Sequence, residues 1–284
     1  MPTPKQYYIF GQGISQSLSP VIHNAGFVHH DLPYNYSIQD CPDLDTVLPL
    51  MEDPDFGGSS ITMPYKLRVL ELCDSISDSA STIGAINTLV VRHEPAGNGM
   101  SQRSVHGDNT DWYGLYSLIT EYLTQNRLDA PVGLVIGAGG AARAGVYALI
   151  RAGVKRVYLA NRTPATAHKV MQDFQCLGDV IPTEFPPQLP ETPDLIIGTV
   201  PGQAYPTESF LDLFQKRSGL CIEMSYKPRI TNLLNVSLEQ SGWISADGLE
   251  VLLRQAFKQF QIWTGLEPPE AVMREAVARQ IRGS

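Results

Sequence analysis

The sequence predicts an α/β protein of two domains, one of them built on a doubly wound parallel sheet. Three observations predict it. Residues 131–246 alternate short, continuous apolar runs with helical patterns, which is how strands covered on both faces and joined by helices read. A glycine-rich run at 137–143 stands between one such strand and the helix that follows. Residues 1–110 repeat the alternation less regularly, and a chain of 284 residues has room for two cores.

The elements follow in order. Residues 6–11 (QYYIFG), 34–40 (YNYSIQD) and 59–63 (SSITM) read as strands. A helix starts at Ser19-Pro20, and another is expected across 43–53. Residues 87–107 read as a hairpin whose loop is the Pro/Gly/Asn cluster in HEPAGNG. Asp111 reads as the N-cap of a helix on WYGLYSL. Strands are expected at 131–137, 155–160, 194–200 and 219–225, with helices at 141–153, 164–174 and 207–217. Asp247 would cap a long amphipathic helix over 248–264, closed by Gly265, and a last helix covers 270–281. The expected domains are 1–110, completed by 248–284, and 111–247.

Composition narrows the function. Hydrophobic residues make up 43% and charged residues 18%, so the chain can bury proper cores. Asp and Glu outnumber Lys and Arg 29 to 21, a net charge of −8, with no basic run. Nucleic acid and anionic membrane surfaces are therefore not expected partners. A small anion held by a local Arg or a helix N-terminus is compatible with that charge. The cysteines, at 41, 73, 176 and 221, form no C-x-x-C, so free thiols are expected and no metal site. No charged leader with an apolar stretch opens the chain, and no apolar run reaches a membrane span. A cytoplasmic protein is expected.

The glycine run carries the first chemistry. Gly137, Ala138, Gly139, Gly140 and Ala141 occupy a strand–turn–helix position, where glycine lets the backbone approach a pyrophosphate at a helix N-terminus. A plain tight turn is the simpler reading. At the end of the next strand an NAD site usually carries Asp or Glu for the ribose 2′-hydroxyl. Here stand Asn161, Arg162 and Thr163, donors that suit a 2′-phosphate. Thr163 as a helix cap before Pro164, with Arg162 solvated, is compatible with that role. No Tyr is followed four residues later by Lys, and no G-K-[ST], H-E-x-x-H or G-x-S-x-G occurs. Hydride chemistry would need other acid–base groups.

Nearly the whole chain resembles the shikimate/quinate dehydrogenase family. The motifs occur in order: GQGISQSLSPVIHN from Gly11, GSSITMPYK from Gly58, IGAINT from Ile83, and GDNTDWYG from Gly107. The glycine loop, Asn161-Arg162-Thr163, TVPG from Thr199, Tyr226-Lys227-Pro228 and DGLEVLLRQA from Asp247 complete the set. DFGGSSITMPYK is similar to the fungal branch, which includes the dehydrogenase domain of the pentafunctional arom enzyme and its regulatory relatives.

The resemblance implies a substrate domain joined to a Rossmann-type dinucleotide domain. It implies NADP-dependent, reversible reduction of 3-dehydroshikimate to shikimate by a monomer or homodimer. Lys66 would supply the proton and Asp111 would orient and tune it. Their local readings are a solvated lysine and a helix cap. Ser17 and Ser19 would hold the substrate carboxylate, where capping of the following helix is the plain alternative. Ser60, Thr62, Asn87, Tyr226 and Gln255 would read ring hydroxyls, although a helical Gln is commonly just exposed. Thr199, Met224 and Gly248 would line the cofactor beside the glycine loop. Ser19 and Thr62 keep the identities that favour shikimate over quinate in the plant branch.

Five positions depart from the family pattern. Gly13 stands where Pro is usual, Gln16 where His is, Ser60 where Asn is, and Glu223 where Asp is. Thr166 replaces a second basic residue. These leave quinate dehydrogenase, with NAD, as an alternative. A non-catalytic quinate-pathway regulator is another.

Overall fold

The computed structural model describes residues 2–96 and 100–283. In chain order the elements are β1 (Lys5–Gly11), α1 (Ser19–His29), β2 (Tyr34–Asp40), α2 (Leu48–Glu52), β3 (Phe56–Ile61), β4 (Ser75–Ile76), α3 (Asp78–Ile83), β5 (Thr88–Ala96) and β6 (Met100–Asp108). Then come α4 (Asp111–Asn126), β7 (Val132–Ile136), α5 (Gly140–Arg151), β8 (Arg156–Asn161), α6 (Pro164–Phe174), β9 (Asp179–Glu184) and β10 (Leu195–Gly198). The chain ends with β11 (Gly219–Glu223), α7 (Asn232–Leu238), β12 (Trp243–Ala246), α8 (Gly248–Thr264) and α9 (Glu270–Arg282). It divides into two compact units, 1–110 with 256–284, and 111–255.

The first unit holds a six-stranded mixed sheet in the order β2-β1-β3-β5-β6-β4. β1 pairs parallel with both β2 and β3, while β5 runs antiparallel to β3 and β6. β3 is buried along its whole length, so it reads as a continuous run of small and apolar residues rather than an alternating one. Its end residues Phe56 and Ile61 share one core with Phe10, Ile86 and Leu89. The expected hairpin is β5–β6; its tip, 97–99, lies outside the described residues.

Gly58 sets a packing limit on this sheet. A methyl group there would run into the Leu89 carbonyl oxygen and lie 2.7 Å from Trp263 Nε1, the two atoms joined by a 2.9 Å hydrogen bond. Gly58→Ala is therefore expected to destabilise the protein by about 1–3 kcal/mol through overpacking. Thermal melting reads this, and an unchanged melting temperature would contradict the packing.

The second unit holds six parallel strands in the order β12-β11-β10-β7-β8-β9. Read from β9, this is the 3-2-1-4-5-6 order of a doubly wound sheet, with its switch point between β7 and β10. Leu134, Ile136, Tyr158, Ile196 and Cys221 fill its core.

Several expected elements change. The helix expected at 43–53 is a 3₁₀ turn at Asp45–Val47 followed by the five-residue α2. Pro49 limits it to the start of a helix. The helix expected at 207–217 is a 3₁₀ segment, Thr207–Leu213. The third strand begins earlier, at Phe56. Asp111 is the first residue of α4 rather than the residue before it.

The chain returns to the first unit inside α8 rather than at 248. The first half of α8 packs on α4: Arg254 pairs with Glu121 at 2.9 Å, and a Cβ at Gly114 would lie 3.1 Å from Gln255 N. Asp247 caps α8, its carboxylate accepting from Glu250 N at 3.0 Å. Gly265, at φ +69°, closes the helix.

Candidate active site

In the first unit the motif residues gather at one strand edge. β1 and β3 run parallel, so Gly11 and Ile61 end at the same side of the sheet, and antiparallel β5 starts there with Thr88 opposite Ser60. Thr62 N donates to Phe10 O at 2.9 Å, and Gln12 N to Met63 O at 3.1 Å. Glycine is needed at 11, because a Cβ would strike the Thr62 methyl. The 62–66 turn then closes through Tyr65 N to Thr62 O at 3.0 Å. Lys66 is half-buried, and its carbonyl accepts from Ile86 N at 2.8 Å. Ile61 N donates to Asn87 O at 2.7 Å. Thr62, Lys66 and Asn87 are thereby brought together by backbone bonds between three motifs.

Ser17 and Ser19 lie at the start of α1. Ser17 Oγ accepts from Ser19 N, and the two hydroxyls are also 3.3 Å apart. The cap position of α1 is Leu18, which makes no side-chain capping bond, and Ser19 is buried. The loop ahead of them carries one departure with a visible cause. Gly13 has φ +66°, and its N–H donates to Asp40 Oδ1 at 3.1 Å, while Ile14 N donates to Oδ2 at 3.0 Å. Proline can supply neither that φ nor an N–H. Asp40 clamps a loop that a proline ring would otherwise stiffen, a role the sequence reading missed.

Ser60, Asn87 and a buried histidine share one polar network. His23 is fully buried, stacked 4.7 Å from the Tyr36 ring, and burial pushes its imidazole down to about 3. The unfolded chain binds this proton near pH 6.5 and the folded chain does not. Stability should therefore fall as pH drops below about 6.5, by up to about 1.4 kcal/mol per pH unit from this group. His23→Gln should flatten the loss measured by thermal melting between pH 7.5 and 5. An equally steep loss in the variant would contradict the assignment.

The second unit presents the expected dinucleotide residues at the C-terminal ends of β7, β8, β10 and β11. Gly137 follows β7 at φ +116°, and a Cβ there would strike Thr199 Oγ1. Gly137 N donates to Ala160 O at 2.8 Å and Thr199 N to Ile136 O at 3.0 Å, so these residues flank the switch point. Gly139 has open space where a side chain would project, and Gly140 opens α5. Ala138 is buried, whereas Gly140 and Ala141 are half-buried in the first turn of the helix. This cradle beside a helix N-terminus fits a pyrophosphate.

Arg162 and Thr163 are exposed beyond β8, and Asn161 Nδ2 donates to Thr163 O at 2.9 Å. Thr163 occupies the cap position of α6, but its hydroxyl makes no capping bond. Met224 N donates to Gly198 O at 2.9 Å. Gly248 approaches the same segment so closely that a Cβ would lie 2.8 Å from Met224 O. Asp111 and Gln255 are buried in this unit, and Gln255 Nε2 donates to Leu252 O at 2.9 Å.

Tyr226 is half-buried on the loop after β11. Glu223 folds that loop, accepting from Ser225 N at 2.9 Å and Thr231 Oγ1 at 2.8 Å. Burial raises its carboxyl above the usual range despite these bonds. Among the described residues no His/Cys/Asp/Glu group could hold a metal ion, and no helix is long and apolar enough to cross a membrane.

Comparison with known proteins agrees with this geometry. Residues 9–89 match the shikimate dehydrogenase substrate binding domain, and residues 248–278 match the shikimate 5′-dehydrogenase C-terminal domain. The chain belongs to the shikimate dehydrogenase family. It is 37% identical over 277 residues to the pentafunctional AROM polypeptide of Malassezia globosa, covering 93% of this chain and 17% of that one. It is 33% identical over 317 residues to the quinate repressor protein of Emericella nidulans, covering 98% and 35%. The chain thus spans only a part of these relatives.

Among solved structures, shikimate dehydrogenase from Aquifex aeolicus superposes with TM-score 0.81 at 29% identity, covering 98% of this chain and 99% of that one. The Thermus thermophilus shikimate 5-dehydrogenase in complex with NADP(H) and shikimate gives 0.76 at 28%, covering 97% and 99%. Quinate dehydrogenase from Corynebacterium glutamicum in complex with NAD gives 0.78 at 25%, covering 98% and 100%.

Proposed function

We propose that this chain is an NADP-dependent shikimate dehydrogenase, which interconverts 3-dehydroshikimate and shikimate. The observation that carries the reading is the single strand edge at which Thr62, Lys66 and Asn87 are held by bonds between motifs. Ser17 and Ser19, at the α1 N-terminus, bind the carboxylate. Ser60, Thr62, Asn87, Tyr226 and Gln255 read the ring hydroxyls.

Reduction of the ring ketone needs a hydride and a proton. The dinucleotide supplies the hydride when bound. Lys66, as the ammonium, donates its proton to the carbonyl oxygen as that oxygen gains charge, and in the oxidative direction the amine takes the proton back. Asp111 orients the Lys66 ammonium and tunes this proton transfer.

The glycine cradle of 137–141 holds the pyrophosphate, flanked by Thr199, Met224 and Gly248. Asn161, Arg162 and Thr163 hold the 2′-phosphate. Cytoplasmic location and a monomeric or homodimeric state accompany this reading.

A second reading has its own support in the likeness to the quinate repressor: a protein that binds these acids without turnover. Following NADPH oxidation at 340 nm with 3-dehydroshikimate separates the two. The enzyme reading expects one shikimate formed per NADPH oxidised. Binding of the acid by calorimetry with no NADPH consumed would favour the repressor-like reading.

A further inference from the structure

Gln259 lies on α8 in the first unit and is fully buried. Its carboxamide joins residues far apart in sequence. Nε2 is 3.3 Å from Asn87 O and 2.9 Å from Thr88 Oγ1. A backbone carbonyl can only accept, so the amide nitrogen must face Asn87 and the oxygen must face the other way. Oε1 accordingly accepts from Ser60 Oγ at 3.0 Å and from His23 Nε2 at 3.2 Å. His23 must carry its proton on Nε2, which matches a buried Nδ1 with no hydrogen-bond partner.

The direction of each bond then propagates. Thr88 Oγ1 receives a hydrogen from Gln259 and gives its own to Asn87 Oδ1 at 2.7 Å. Asn87 Oδ1 also accepts from Thr110 N at 2.6 Å, while Asn87 Nδ2 donates to Thr110 Oγ1 at 3.0 Å. The Asn87 amide is thereby held with its oxygen turned to Thr88 and the Thr110 backbone. Ser60 Oγ receives a hydrogen from Tyr36 Oη at 2.6 Å and gives its own to Gln259. With its hydrogen so directed, Ser60 meets a ring hydroxyl as an acceptor only.

We propose that Gln259 is a positioning residue for ring-hydroxyl recognition: it fixes which atoms of Asn87 and Ser60 donate and which accept. The inference rests on the reading that Asn87 and Ser60 face the substrate ring, and it adds a residue that contacts neither ring nor cofactor in that scheme.

Two variants and two readouts test it. Gln259→Leu removes four hydrogen bonds at similar volume. Its KM for shikimate should rise about 10–100-fold, with kcat and the KM for NADP within about threefold. Gln259→Glu keeps the donor while its carboxyl is protonated. Once ionised, it would draw the Thr88 hydroxyl away from Asn87. Its shikimate KM should therefore climb as pH rises across the carboxyl's titration, while the wild-type KM climbs less. A purely structural role would lower the melting temperature and leave both signatures absent.

The second readout needs no turnover. The Asn87 side-chain NH₂ signals in a ¹⁵N correlation spectrum, assigned with Asn87→Asp, should shift in Gln259→Leu. A wild-type chain that oxidises neither shikimate nor quinate would defeat the enzyme reading alone, and the NH₂ signals would then decide this proposal. Unchanged shikimate KM in a folded Gln259→Leu enzyme, or unmoved Asn87 NH₂ signals, overturns it.

Discussion

Lys66→Ala is expected to lower kcat by about 10²–10⁴-fold while KM for shikimate changes little, because proton transfer is realised only as hydride moves. The side chain leaves a turn whose backbone is fixed on both sides. Tyr65 N closes onto Thr62 O at 3.0 Å, and the Lys66 carbonyl takes Ile86 N at 2.8 Å. Truncation at Cβ therefore removes the ammonium and leaves its platform in place, so the loss should be chemical rather than a loss of folding. Asp111→Asn should behave alike with cofactor binding intact. Stopped-flow and steady-state rates on folded variants check both. Near-normal turnover in either would remove that residue from the proposed mechanism.

The second large effect concerns the cofactor. Arg162 is exposed immediately beyond β8, at the position where an acid would repel a 2′-phosphate. A charge-assisted contact to phosphate is worth roughly 1.5–3 kcal/mol, or about one to two decades of preference. Thr166 offers no second cation there, so the wild-type preference for NADP should sit near the low end. Arg162→Asp replaces attraction by repulsion. The NADP/NAD ratio of kcat/KM should fall by at least about tenfold, with NAD turnover spared. An unchanged ratio would mean that the 2′-phosphate is read elsewhere.

Much of this architecture is legible in the chain because local signals and tertiary placement agree. The 131–137 run ends in a glycine whose φ of +116° only a residue without Cβ adopts easily, and the helix after it begins where the pattern changes period. α6 opens at Pro164 and α8 at the Asp247 cap, both plain in sequence. The segment of β9, DVIPTE, does not read as a strand, because it carries a proline and only Val180 in it is buried. A proline in a strand is an edge signal, and β9 is an edge strand. The helices expected at 43–53 and 207–217 tighten or shorten because short amphipathic stretches do not distinguish 3₁₀ from α geometry.

At the site, the motif residues were readable one by one, but the polar groups that aim them were not. Gln259 meets Asn87 and His23 across sequence separations of 172 and 236. On a helix whose apolar face is otherwise regular, a glutamine carries no local sign of burial. The Asp40 clamp on Gly13 is equally hidden, since only the φ at Gly13 reveals what replaced the proline ring. Glu223 makes the same point: its buried carboxylate shapes the Tyr226 loop through Ser225 and Thr231.

The most direct test of the central claim is a single set of initial rates on the purified protein: shikimate and quinate, each with NADP and with NAD. The highest kcat/KM is expected for shikimate with NADP, a lower value for shikimate with NAD, and weak or no turnover for quinate. A higher kcat/KM for quinate, or for NAD over NADP with shikimate, would contradict that claim.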